Sequence, residues 1–205
     1  MNRGYLAGIL LATLAWPAVA QQKAPDKPSL NGIYPDMTRR DFRALYPAFA
    51  KGCRTMPTGR VSCMYHSPGS EEARKYGIPQ AGNEPSLNTL AGEPVDSAFV
   101  TLDASGEKIF HLSFELRSTS FDAVSAALTQ RFGKPSGTRA SRVRNEAGAE
   151  FDQVETRWTL GTTVIGCEKR SGSMDMMKVW ITSRAAMAII EKEIKAMAAE
   201  GAKGR

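Results

Sequence analysis

Residues 95–133 read VDSAFVTLDASGEKIFHLSFELRSTSFDAVSAALTQRFG. Ala98, Val100 and Leu102 alternate with Phe99 and Thr101. Beyond Asp103 to Glu107, the series Phe110, Leu112, Phe114 and Leu116 alternates with His111, Ser113 and Glu115. Side chains two apart share one face of a strand, so this pattern predicts a hairpin with one buried face. Its turn suits Asp103, Ser105 and Gly106: glycine takes positive φ without steric cost, and an Asp side chain accepts local backbone hydrogen bonds. Thr119 to Asp122 then has capping-box spacing with Asp in place of Glu. Phe121, Val124, Leu128 and Phe132 recur at helical spacing until Gly133 and Pro135 stop the helix. A hairpin cannot hide its apolar face alone, and a helix with one apolar stripe covers it. The fold class read from this stretch is α+β, an antiparallel sheet with helices packed on one face.

Upstream, residues 1–20 combine Arg3, an apolar run through Trp16 and the small residues Ala18-Val19-Ala20, the pattern of a secretory signal peptide. A membrane-spanning helix needs about 20 apolar residues, more than this run supplies. The expected mature chain is therefore periplasmic or secreted, with no stable membrane insertion. No cysteine follows the cleavage site to carry a lipid. Residues 21–31 read as a flexible linker bearing Pro and Lys. The chain has 27 basic and 21 acidic residues, a net charge of +6; the leader contains one basic residue, Arg3, so its removal lowers that by one. In an exported setting this excess suits an acidic protein or an anionic envelope polymer better than nucleic acid. Arg139, Arg142 and Arg144 gather without acidic neighbours in sequence, in a stretch read as a loop or strand edge.

Thr38 to Asp41 is a second capping-box match, followed by Phe42, Leu45 and Phe49, with Pro47 expected to end the helix near Tyr46. Cys53 and Cys63 flank Pro57-Thr58-Gly59. If those three residues form a hairpin loop, position 56 pairs with 60 and 53 with 63, which makes Cys53 and Cys63 the preferred disulfide; pairing of either with Cys167 stays open. Residues 67–94 are rich in Pro, Gly, Asn, Ser and Glu and run longer than loops usually do, as either a working loop or a disordered one, with a helical turn considered over residues 71–76. After the central helix, strands are expected over residues 153–160, 163–169 and 176–182. Ser183 is expected to cap a last helix whose stripe Met187, Ile190, Ile194 and Met197 is buried.

The order of elements suggests two helix-plus-strands units, residues 32–118 and 119–200, with Ala44-Leu45 and Phe49 echoed by Ala127-Leu128 and Phe132. In an exported chain, this order resembles the tandem-repeat β-lactamase inhibitory protein. It also resembles single-unit outer-membrane assembly lipoproteins of the SmpA/OmlA type, although the lipidation cysteine of that second group is missing. The likeness is architectural and covers about residues 33–183. The first resemblance implies protein binding through an open sheet face.

Catalytic signatures are scarce. The chain has two histidines, His66 and His111, both read as polar surface residues, and no G-x-S-x-G elbow. Ser105 to Lys108 matches S-x-x-K, but on a hairpin turn and without companion motifs. Met174, Met176 and Met177 are soft-ligand types, yet adjacent strand residues face opposite ways, and packing accounts for them better than copper. No metal or cofactor signature is present, so no cofactor is expected. What remains is a surface. If Met177, Val179 and Ile181 face the helices, then Met176, Lys178 and Trp180 face outward together with Phe99, His111 and Arg157, residue types that anchor interfaces. The expected function is a non-catalytic protein-binding module (inhibitor, immunity factor or envelope-assembly accessory) with an acidic envelope protein as partner and no nucleic acid. The alternatives are an envelope hydrolase with its site near His66 and residues 67–94, or a binder of an anionic envelope polymer through residues 139–144.

Overall fold

The computed structural model describes residues 27–56, 59–67 and 85–203. The segment read as a signal peptide, residues 21–26 of the expected linker, the turn considered over residues 71–76 and the side chain of Met197 lie outside the described residues. In chain order the elements are α1 (Arg39–Leu45), α2 (Pro47–Lys51), β1 (Cys53–Thr55), β2 (Val61–His66), β3 (Thr89–Leu90), β4 (Glu93–Leu102), β5 (Ile109–Arg117), α3 (Phe121–Phe132), β6 (Gly137–Arg144), β7 (Glu150–Leu160), β8 (Thr163–Glu168), β9 (Met176–Ser183) and α4 (Arg184–Lys203). The strands form one antiparallel sheet in the order β1-β2-β4-β5-β9-β8-β7-β6, with β3 paired to β4. The fold is α+β.

The chain reaches the far edge of this sheet through α3. Its 12 residues span about 18 Å. The four strand spacings from β5 to β6 measure about 19 Å. From that edge β6, β7, β8 and β9 return strand by strand until β9 pairs with β5, Leu112 opposite Ile181 and Phe114 opposite Val179. A helical segment followed by strands thus occurs twice along the chain.

Register places the apolar alternation of β2, β4, β5, β7, β8 and β9 on one face. Tyr65, Ala98, Phe114, Val179 and Cys167 lie in one row and Cys63, Val100, Leu112, Ile181, Ile165 and Trp158 in the next. With Phe42, Phe49, Phe121, Val124 and Leu128 of the first three helices they form one core. Trp158 meets its polar need under α3, its indole N–H donating to the Gly133 carbonyl at 2.9 Å. Cys53 and Cys63 are directly opposite and joined by a disulfide.

Several details depart from the sequence reading. Phe110 does not continue the buried series. The β4–β5 register shifts between Thr101 and Leu102, so Ile109 takes the core position and Phe110 is half-buried. A bulge of this kind is invisible to strict alternation. Leu45 is exposed at 47%. Pro47 does end α1, which stops at Leu45 with Tyr46 as its C-cap, but it also starts a second short helix, α2, where its missing N–H costs nothing. Thr38 caps α1 as expected, accepting from the Asp41 amide, whereas Thr119 does not cap α3. A 3₁₀ turn over Ser118–Ser120 precedes that helix, and Ser120 Oγ donates to Glu93 instead. The linker stops short of its expected end: Leu30 is fully buried and exchanges backbone hydrogen bonds with Ile33 across the Asn31-Gly32 turn. Residues 85–94 are also structured, with Leu87 and Leu90 buried and Ala91-Gly92 turning β3 into β4.

The last helix differs most from expectation. Ser183 does cap it, accepting from the Ala186 amide. Ala186 is buried and Met187 and Ile190 are half-buried, but Ile194 is 55% exposed. Further along, Glu193 meets Arg60 beside β2. The three strand spacings from β9 to β2 are about 14 Å and ten helical residues rise about 15 Å, so α4 runs across the strand ends rather than along them. Among the described residues, no helix is long and apolar enough to cross a membrane.

Candidate functional site

The face of the sheet opposite the core carries the candidate site. Its central row, read through the register from β6 to β2, is Gly137, Arg157, Gly166, Trp180, Ser113, Phe99 and Met64. Small and large residues alternate from Gly137 to Phe99, so Arg157, Trp180 and Phe99 each have a small neighbour in the row. The indole of Trp180 covers Gly166, and a Cβ at that glycine would fall 2.2 Å from the ring. The adjacent row is Arg139, Glu155, Glu168, Lys178, Glu115, Ser97 and His66. It is a charged strip. Glu168 accepts from Trp180 Nε1 at 3.0 Å, and Glu115 accepts from Ser97 Oγ at 2.9 Å. On the other side of the central row stand Val164, Thr182, His111 and Thr101.

All six residues predicted from alternation lie on this face by register, although their exposure differs from the prediction. Arg157 is exposed, with its guanidinium 5.8 Å from the Trp180 ring centroid. Phe99, Met176 and Lys178 are half-buried. Trp180 is 5% exposed, which makes it the floor of the face rather than a projecting anchor. His111 is half-buried rather than a surface histidine. Burial, helped by the Lys178 ammonium, pulls its imidazole down to about 4, and its Nδ1 has no hydrogen-bond partner. His66 is buried more deeply, its Nε2 2.9 Å from Met64 Sδ and its ring edge-on to Phe99. Both histidines therefore depart from the surface reading for one reason: neighbouring large side chains close over them.

At the β6 edge, the three arginines that lack acidic neighbours in sequence find them across the strand pair. Arg139 bonds Glu155, and Arg142 and Arg144 both bond Glu150. Hydrogen bonds from Arg144 and Arg142 hold the exposed Glu150 carboxyl below the usual carboxylate range. Arg157 also bonds Glu155, at 2.6 Å. Sequence reading missed Glu155, Glu168 and the glycines at 137 and 166. The available signal was glycine inside a strand pattern, which marks a close approach or a missing side chain.

Among the described residues, no group of three His, Cys, Asp or Glu side chains is placed to hold a metal. Cys167 is buried on the core face, and burial, with Glu168 adding to it, pushes its thiol up to about 12. No protein family, curated protein or solved structure matches the chain.

Proposed function

We propose that the chain is a non-catalytic protein-binding module of the cell envelope that uses the outer sheet face, as an inhibitor, immunity factor or assembly accessory. The observation that carries this reading is the central row. Trp180 and Gly166 make a rigid, flat floor, and Phe99, Met64 and Arg157 stand around it with Lys178 beside them. Aromatic, Met and Arg side chains on a preorganised surface suit a protein partner, because little conformational entropy is lost on docking. The leader and the Cys53–Cys63 disulfide support an exported location. The resemblance to the tandem-repeat β-lactamase inhibitory protein supports the same use of the sheet.

The test is affinity capture from envelope extract with the chain beginning at Gln21, compared with a Phe99→Ala, Lys178→Ala variant. Trp180 is left intact because truncating it would empty the space over Gly166 and disturb the sheet. The expected result is one protein retained by the wild type, lost with the variant, and bound again when purified. Equal retention by both, or none by the wild type, overturns the reading.

A further inference from the structure

The far edge of the sheet holds a feature that adjoins the Phe99 and Trp180 surface through Arg157. A cavity of about 310 Å³ opens between β6 and β7, lined by Gly137, Thr138, Arg139, Glu155 and Arg157. It exists because Gly137 has no side chain: a Cβ built there meets nothing within 4 Å, in contrast to the filled space over Gly166. Glu155, whose side chain is 11% exposed, lies low between two arginines, and Arg139 and Arg157 each bond one of its carboxylate oxygens. One carboxylate orients two guanidiniums. Each guanidinium has five donors, so both keep donors for a second anion, and the group carries one net positive charge.

The strand that forms one wall is also an open edge. β6 ends the strand order, and its eight residues are all exposed except the half-buried Val143. Among the described residues no strand pairs with its outer side. An unpaired edge about 27 Å long is a template for an added strand. A second copy of this chain fits it poorly. In the fully overlapped antiparallel register Ala140 faces Ser141, which sets Arg139 directly opposite Arg142 twice, and like charges directly opposite are destabilising.

We propose that β6 receives an extended, acidic segment of a partner protein as an added strand, with one of its Asp or Glu carboxylates seated over Gly137 between Arg139 and Arg157. This rests on the outer face being a protein-binding surface and extends that surface to the sheet edge. Glu155 is a positioning residue, holding the two guanidiniums apart so that the incoming carboxylate finds both.

The probe is a blocked peptide of the same length as β6 with alternating threonine and glutamate. It is compared with its glutamine counterpart, with a version N-methylated at alternate backbone nitrogens, and with vesicles containing anionic phospholipid. Binding is followed by NMR on the full mature chain. The glutamate peptide should shift the amides of Gly137–Arg144 and the side-chain N–H signals of Arg139 and Arg157. Its affinity should fall about tenfold or more in Arg139→Gln and in Arg157→Gln, and also for the N-methylated peptide. Gly137→Val keeps every charge and places a β-favouring residue in an exposed strand, so it should fold while placing a side chain where the carboxylate would sit; it should weaken binding to a similar degree. No binding overturns the proposal, as does equal binding of the glutamine or N-methylated peptide. Vesicle binding that Gly137→Val leaves unchanged also overturns it, in favour of a diffuse anionic surface. Phe99→Ala, Lys178→Ala should leave peptide binding intact, so failure at the edge and failure of the outer-face reading are seen separately.

Discussion

The indole of Trp180 occupies the space above Gly166, its Cε2 and Cζ2 2.2 Å from where a Cβ on that glycine would stand. The two residues are paired across β8 and β9, and the ring is also held by its Nε1 bond to Glu168, two residues along β8 from the glycine. Neither can move without the other. Gly166→Ala should cost about 2 kcal/mol, because the overpacked ring must leave its place and its hydrogen bond. A Gly166→Ala, Trp180→Leu double variant should lose less than the sum of its single changes. Denaturant unfolding of the four chains measures this, and strict additivity would show that the ring and the glycine are not coupled.

His111 sets a pH dependence. Burial holds its folded imidazole at about 4, below the ordinary histidine value, so the unfolded chain binds this proton first as pH falls. Stability is therefore full above about pH 6.5 and declines as pH drops toward 4, by up to about 3 kcal/mol from this group alone. His111→Gln should flatten that part of the stability profile. An unchanged slope between pH 6.5 and 4 in the variant would assign the loss to other groups.

The cysteines should divide sharply in reactivity. Cys53 and Cys63 close a short loop, with a sequence separation of 10. Replacing both with Ser should cost about 3 kcal/mol by the chain-entropy argument. Cys167 is fully buried and its thiol is pushed up to about 12, so the native protein should show no fast-reacting thiol at pH 8 and the unfolded, unreduced protein one. A rapidly modified native thiol would contradict the burial of Cys167.

The elements legible from sequence were those whose evidence is local. Alternation in residues 98–102 and 112–116, and again in 177–181, placed the core face correctly because a strand's period is two regardless of its neighbours. The Cys53 and Cys63 pairing followed from turn length. The bulge that substitutes Ile109 for Phe110 was not legible, since it depends on β4. Asn31-Gly32 lies inside a polar stretch that reads as linker, yet it forms a turn that brings Leu30 into the core. On the outer face, membership followed from parity, but exposure did not. Trp180 and His111 are closed over by residues from other strands. The cavity over Gly137 needs the register of β6 with β7, a relationship between residues 20 apart that no single window of sequence contains.

The last helix yields a prediction about local opening. Its apolar contacts fade after Ile190, and Ile189 and Ile194 are 44% and 55% exposed. The distal hold is Glu193, which takes two hydrogen bonds from the Arg60 guanidinium at 2.9 and 2.6 Å. That guanidinium in turn lies 4.7 Å from the centroid of Phe110, the residue freed from the core by the bulge. The hydrogen bond from Arg60 holds the Glu193 carboxyl below its usual range. The contact is therefore complete above the ordinary carboxylate pKa and is lost as pH falls through the lowered value. Glu193→Gln should raise amide exchange in α4 beyond Ile190 several-fold while the sheet amides stay as they were, since local opening need not involve the core. Phe110→Ala should act in the same direction by removing the surface on which Arg60 rests, and high salt should weaken the contact in the wild type. Unchanged exchange in both variants would mean that α4 is held by Ala186, Met187 and Ile190 alone; faster exchange throughout the sheet would mean that the helix is part of the cooperative core.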